Sequence, residues 1–253
     1  MNVRELYDRI DDRIPEELRE SWDNDGLMCC PDETREVSRV LISLDVTEEI
    51  VDYAIDNGFD LIVSHHPLIF KPVGAVVPTD HVARKLIKLI GAGVSVMSFH
   101  TRADKVKGGV NDLLARRLGL LDVEDFGEDG LGRIGHLECE TSLEEFGERV
   151  KTALGIDKLI ASDAYNPVYT VALVGGDGKG YVRSAVESGA DTYLSGRIGY
   201  NVMEEASEMG INLIEAGHYA TEFPVTGFFK SLIGKIEPKI VTEIVGSYML
   251  RVL

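Results

Sequence analysis

Leu61-Ile62-Val63-Ser64-His65-His66-Pro67-Leu68-Ile69-Phe70 is an apolar run that halts at two adjacent histidines and a proline. Phe59 to Ser64 reads as a buried strand that delivers His65 and His66 at its end. Upstream, Arg39 to Leu44 reads as another short buried strand. Thr47 to Asn57 reads as a helix with Ile50, Val51, Ala54 and Ile55 on one face and Gly58 at its end. Downstream, Asp80 is placed to cap a helix over His81 to Ile90 that closes at Gly91 and Gly93. Val94 to Phe99 is then a strand that delivers His100, and Gly108-Gly109-Val110-Asn111-Asp112 opens a helix to Leu118. This alternation of strand and helix predicts a parallel α/β sheet with right-handed crossovers.

The flanking segments are read in the same way. The first twenty residues read as a helix, with Val3, Leu6, Tyr7 and Ile10 at helical spacing, and Trp22-Asp23-Asn24-Asp25-Gly26-Leu27 reads as a loop. From Phe126 to Gly132 the composition shifts to Gly, Asp and Glu, which marks a candidate lobe boundary. Beyond it, Ile134 to Cys139 is a strand, and Ser142 with Glu145 forms a capping box for a helix towards Leu154. Val168 to Val174 is a strong strand, followed by Gly175 to Gly180 and a helix to Ser188. Asp191 to Leu194 and Ile211 to Ile214 read as strands around the helix Tyr200 to Met209, with His218 just past the second. A helix from Glu222 to Leu232 and strands within Lys239 to Leu253 complete the chain.

At 253 residues the chain is long enough for one large domain or two lobes, and 44% hydrophobic residues fit a globular protein. No apolar run approaches the roughly 20 residues of a membrane span, and Met1 to Asp12 is charged where a signal peptide would be apolar. The expectation is a cytoplasmic protein. The net charge of −17 disfavours general nucleic-acid binding, because an acidic surface repels a phosphate backbone. Cys29 and Cys30 are adjacent and Cys139 stands alone, which is neither a disulfide framework nor a zinc knuckle. No Gly-x-Ser-x-Gly elbow supports a serine hydrolase.

Four of the chain's six histidines fall in three stretches: His65-His66, His100, and His218 within Gly217-His218-Tyr219-Ala220-Thr221-Glu222. Asp104 follows His100, and Glu222 follows His218, by four positions, which places each pair on one side of a helical turn. Because ligand-binding residues lie beyond the carboxyl ends of strands in open α/β sheets, His65, His100 and His218 are expected at one edge of one sheet. Adjacent His65 and His66 can serve one site only if the backbone leaves strand geometry there, and Pro67 favours that. These six groups exceed the three protein ligands of a single catalytic zinc and suit two ions about 3.5–4 Å apart. Each histidine taken alone would be an ordinary core or surface residue, and His81 and His136, without such company, are read that way.

At these residues the sequence resembles the Nif-three-like family, whose members are also described as GTP cyclohydrolase I type 2 homologues. The resemblance covers nearly the whole chain. It is carried by Trp22 to Leu27, Ser64 to Phe70, His100-Thr101 with Asp104, Gly108 to Asp112, Gly175-Gly176-Asp177-Gly178, and Gly217 to Glu222. It implies a two-lobed α/β subunit, mostly parallel sheet with flanking helices, and a second α/β lobe inserted in the middle of the chain. The lobes are expected at 1–125 plus 210–253 and at 126–209. It also implies two divalent metal ions (zinc, iron or manganese) held by His65, His66, Asp104, His218 and Glu222, with Glu222 bridging. His100 would be a ligand or proton-transfer group at the edge of the site, and the subunits would form a ring-shaped homohexamer. The chain departs from the family where an Asp and a His are usual, reading Arg197 and Asn201 within Ser195-Gly196-Arg197-Ile198-Gly199-Tyr200-Asn201. If the family's residues at those positions touch substrate, substrate choice is expected to differ here, while the metal site is unaffected.

Two functions are therefore carried forward. One is a metal-dependent hydrolase of a small, nucleotide-like substrate, in which paired metals activate water and His100 shuttles a proton. The other is a metal-stabilised ring that binds partner proteins without turnover. Two lesser features stay open: Gly175 to Gly180 is either a phosphate cradle with Lys179 and Arg183 or a tight turn needing positive φ, and Trp22 to Leu27 is either a packing turn or, through Asp23 or Asp25, part of a site rim.

Overall fold

A computed structural model of the chain describes residues 1–246. In chain order the elements are α1 (Val3–Asp11), β1 (Gly26–Cys29), β2 (Arg39–Ser43), α2 (Glu48–Asp56), β3 (Leu61–Ser64), α3 (His81–Ala92), β4 (Ser95–Ser98) and α4 (Thr101–Lys105). There follow α5 (Val110–Leu118), β5 (Leu121–Phe126), β6 (Gly132–Thr141), α6 (Leu143–Leu154), β7 (Ile160–Ser162), β8 (Val168–Asp177), α7 (Val182–Glu187), β9 (Thr192–Arg197), α8 (Tyr200–Glu208), β10 (Asn212–Glu215) and α9 (His218–Glu222). The last are α10 (Val225–Ile236) and β11 (Val241–Ile244); residues 247–253 of the expected C-terminal strands lie outside the described residues.

The chain forms a two-lobed α/β structure with two sheets. One compact unit is Met1–Val106 with the chain from Val225 onward, and the other is Lys107–Pro224. These breaks differ from the expected ones at 125/126 and 209/210. The Gly- and acid-rich stretch is not a boundary: it is the turn of a hairpin in which Phe126 pairs with Gly132 and Asp125 with Arg133. Arg133, itself buried, holds that turn by donating to the carbonyls of Gly130, Leu131 and Gly132.

In the first unit the strand order is β1-β4-β3-β2-β11, parallel throughout except for β1. The parallel strands are nearly all apolar because helices cover both faces. Leu41, Ile62 and Val96 point to Ile50, Val51 and Ala54 of α2 and Leu86 and Leu89 of α3. Val40, Ile42, Leu61 and Val63, on the alternate positions, are also fully buried, and α10 packs on β2 and α1. Each such Leu or Ile contributes about 1.5–3 kcal/mol by leaving water. Asn2 with Glu5, Thr47 and Asp80 cap the first three helices of this unit. The first helix stops at Asp11, not at residue 20, because Pro15 lacks the N–H that a continuing helix needs; only a short 3-10 turn, Glu16–Leu18, follows. Most of the stretch read as a loop stays one, but its end, Gly26-Leu27, begins the antiparallel edge strand β1, with Gly26 opposite Ser98.

The second unit has the order β5-β6-β8-β9-β10-β7, with β8, β9 and β10 parallel and the outer pairings antiparallel. Its period of two is visible in the burial. Val171, Leu173, Leu194 and Ile214 meet α5 and α6, while Ala172, Val174, Tyr193 and Leu213 meet α7 and α8. Ser142 and Glu145 form the expected capping box on α6. The helix expected over Glu222 to Leu232 is two helices, α9 and α10, separated at Pro224. Among the described residues no helix is long and apolar enough to cross a membrane.

Candidate metal centre

Both histidine-bearing strands of the first unit end in a buried serine. Ser43, Ser64 and Ser98 stand side by side, paired across β2, β3 and β4. Ser43 Oγ donates to the carbonyl of Asp45 at 2.7 Å, and Ser64 Oγ contacts the carbonyl of His66 at 2.9 Å and Ser98 Oγ at 2.8 Å. This row of hydroxyls fixes the main chain where it turns away from the sheet. The backbone leaves β3 after Ser64, as two adjacent histidines serving one site require, and the rings of His65 and His66 lie 5.1 Å apart.

His65, His66 and His100 offer ligand atoms all within 4.8 Å of one another, a donor set that can hold a metal ion. The Nδ1 of each ring is already engaged by an oxygen that can only accept. His65 Nδ1 donates to the carbonyl of Phe99 at 3.0 Å, His66 Nδ1 to Asp45 at 2.7 Å, and His100 Nδ1 to Asp23 at 2.8 Å. All three imidazoles are thereby set in the tautomer whose lone pair is on Nε2, the arrangement that metal-binding histidines adopt. Asp104, buried on α4, places Oδ1 3.6 Å from His65 Nε2.

A second shell of charge orders the His100 segment. Asp23 accepts from His100, from the Thr101 N–H at 3.1 Å and from Thr101 Oγ1 at 2.6 Å. Burial pushes the Asp23 carboxyl up, but the hydrogen bonds it receives from His100 and Thr101 outweigh it and hold it well below the usual carboxylate range. Asp25 accepts from the His100 N–H and from Nε of Arg102, whose Nη1 reaches Asp11 at 2.6 Å and the Ile14 carbonyl at 3.0 Å. Arg102 is fully buried and lies 4.8 Å from the Phe99 ring centroid. The turn of Trp22 to Leu27 is thus part of the machinery that holds His100. Asp23 was legible as a rim candidate; Asp45 was not, because nothing in its local spacing links it to His66, twenty-one positions away.

His218 and Glu222 lie in the second unit, so the expectation that His65, His100 and His218 share one sheet edge is corrected. The strand before His218 is β10, which pairs with β9 through Asn212↔Thr192 and Glu215↔Ser195 in the six-stranded sheet. Its two faces are buried in that unit's own cores, which fixes it there. His218 Nε2 lies 2.9 Å from Glu222 Oε2 across one turn of α9, and the Glu222 side chain is buried. Two glycines make room for this pair. Gly176 has φ +68°, and a Cβ there would collide with Glu222 Oε1; a Cβ at Gly196 would lie 2.8 Å from His218 Cα.

The Gly175–Gly180 stretch is not a phosphate cradle. The N–H groups of Gly175, Gly176 and Gly178 donate to Asn111 Oδ1, Thr221 Oγ1 and Ser195 Oγ, and β8 itself runs on to Asp177. Arg197 and Asn201 are exposed on either side of Ile198 and Gly199, whose amides are held by Glu215 at 2.6 and 2.9 Å. His81 is exposed at the start of α3, and His136 stacks on Tyr169 and bonds Asp122 at 2.9 Å, so neither joins the site.

The family model described as Duf34/NIF3 (NGG1p interacting factor 3) matches residues 1–248. A Clostridium perfringens protein named GTP cyclohydrolase 1 type 2 homolog is 34% identical over 232 residues, covering 89% of this chain and 88% of that one. The protein NIF3 homolog of Schizosaccharomyces pombe is 31% identical over 233 residues, covering 85% and 82%. Among solved structures, a Bacillus cereus protein related to NIF3 matches with a TM-score of 0.86 at 25% identity over 99% of this chain and 97% of that one.

Proposed function

The chain belongs to the Duf34/NIF3 family, and we propose that it is a metal-dependent hydrolase of a small, nucleotide-like substrate. In this reading His65, His66, Asp104, His218 and Glu222 together hold two divalent ions, with Glu222 bridging, and the subunit works within a homohexameric ring. The observation that carries it is the common tautomer of His65, His66 and His100, each with Nδ1 held by an oxygen acceptor. Imidazole and carboxylate donors suit zinc, iron and manganese alike. Bound there, such ions would lower the pKa of a coordinated water and polarise the substrate.

The protein's own groups do the remaining work. His100 presents Nε2 as a base, and the ionised Asp23 behind Nδ1 steadies the imidazolium that results from taking up a proton. Asp45 orients His66, and the Phe99 carbonyl orients His65. The names of the relatives support a ring-opening substrate of the guanine-nucleotide type. Exposed Arg197 and Asn201, at positions where the family usually carries an acid and a histidine, favour a second reading: a metal-stabilised scaffold that binds partners without turnover.

The two are separated by assaying a nucleotide panel with protein reloaded with zinc, iron or manganese, beside Glu222→Gln. Metal-dependent turnover that is lost in the variant upholds the hydrolase. Fully metallated protein that turns over no member of the panel overturns it in favour of the scaffold.

A further inference from the structure

Trp22 and Phe70 are large apolar side chains next to His100 that the fold leaves in solvent, with relative exposures of 61% and 46%. A turn built only for packing would bury its tryptophan. Here the two rings stand 6.3 Å apart at 68°, and each stands 6.3 Å from the His100 ring, at 81° for Trp22 and 90° for Phe70. The three rings meet edge to face and not in parallel stacks, and the exposure of Trp22 and Phe70 shows that ring surface stays open to solvent.

The arrangement is also held in place. Asn24 Nδ2 donates to the Ile69 carbonyl at 2.5 Å, tying the Trp22 loop to the Phe70 loop. The Asn24 N–H donates to Asp23 Oδ1, the same oxygen that receives His100 Nδ1. The loops that carry Trp22 and Phe70 are therefore joined, through Asn24 and Asp23, to Nδ1 of His100 by one hydrogen-bonded chain. The groups tied into it are aromatic, amide and carboxylate, with no cation among them, which suits an uncharged planar ring and not a phosphate.

Resting on the hydrolase reading, we propose that Trp22 and Phe70 form a stacking platform that takes the planar heteroaromatic ring of the substrate and holds it beside His100. An aromatic face accepts any such ring, so the platform sets the class of substrate, and discrimination among rings falls to other groups.

Trp22 is the single tryptophan of the chain, so intrinsic tryptophan emission reports on this platform alone. Full-length, metal-loaded protein is titrated with guanosine and cytidine, and with ribose 5-phosphate as the ligand lacking a ring. The expected result is saturable quenching by the nucleosides, none by ribose 5-phosphate, and binding weakened about tenfold in Phe70→Leu. Phe70 is half exposed, so this variant keeps its fold, which circular dichroism checks. No quenching by either nucleoside, or an unchanged titration in Phe70→Leu, overturns the platform. Turnover of a substrate without a ring, at the same kcat/KM in Trp22→Ala, overturns it while leaving metal-dependent hydrolysis intact. Nucleoside quenching in a protein that turns nothing over upholds the platform and overturns the hydrolase.

Discussion

Asp45 Oδ1 lies 2.7 Å from His66 Nδ1, and Asp45 is itself held by Ser43 through its carbonyl. A carboxylate behind an imidazole fixes the tautomer and raises the basicity of the far nitrogen. Asp45→Asn is therefore expected to keep the fold and lower metal affinity about 10–100-fold. Competition with a chromophoric chelator measures this, and an unchanged affinity would show that His66 is not a ligand.

Gly176→Ala combines a left-handed backbone with a collision against Glu222, whereas Gly189→Ala meets nothing within 4 Å at φ +79°. Backbone strain alone costs about 1–2 kcal/mol in each. Any loss of bound metal is expected only at position 176. Urea unfolding and metal analysis on the two variants separate the conformational cost from the displacement of Glu222.

Arg102 is buried between Asp25 and Asp11, and Arg102→Met removes the nearer cation of the buried Asp25 carboxylate, leaving Arg19 at 4.0 Å. The loss is expected to be about 3–5 kcal/mol. Adding Asp25→Asn in the same chain should recover part of it, since the amide carries no charge to strand. Denaturant titration of the single and double variants tests the pair, and no recovery would mean that Asp25 acts through the His100 N–H alone.

His136 titrates above the usual histidine value: the Leu137 carbonyl raises it most, Asp122 adds to that, and burial opposes both. Because the folded-state pKa is raised, the protonated ring favours the folded state. That contribution is fully present below the ordinary value near 6.5 and is lost as pH rises through the folded one. NMR titration of the His136 ring is expected to show the raised value and its fall in Asp122→Asn.

How far the sequence could be read follows from which interactions are local. The parallel strands β2, β3 and β4 of the first unit, the caps at Asp80 and Ser142, and the i,i+4 pairs His100–Asp104 and His218–Glu222 all depend on residues a few positions apart. The edge strands β1, β5 and β7 escaped notice because short strands take their definition from partners far along the chain, such as Gly26 with Ser98. The placement of β10 was missed for the same reason: its apolar residues declare a strand but not which sheet receives it. Asp45 holds His66, and Asn111 and Thr221 hold Gly175 and Gly176, through side-chain bonds over 21, 64 and 45 positions, and no local pattern encodes those.

The hydroxyl row of Ser43, Ser64 and Ser98 anchors the chain beyond these strands by side-chain bonds and not by the strand ladder. A hydroxyl can swing to follow a carbonyl that moves by a fraction of an ångström, whereas a strand ladder must keep its register or slip by a whole residue. On the proposed metal-binding reading, uptake or release of a cation would be absorbed by rotations at these oxygens before it reached the apolar layers behind them. Amide exchange in metal-loaded and chelated protein is accordingly expected to differ at residues 44–46 and 65–70 and to agree along β2, β3 and β4.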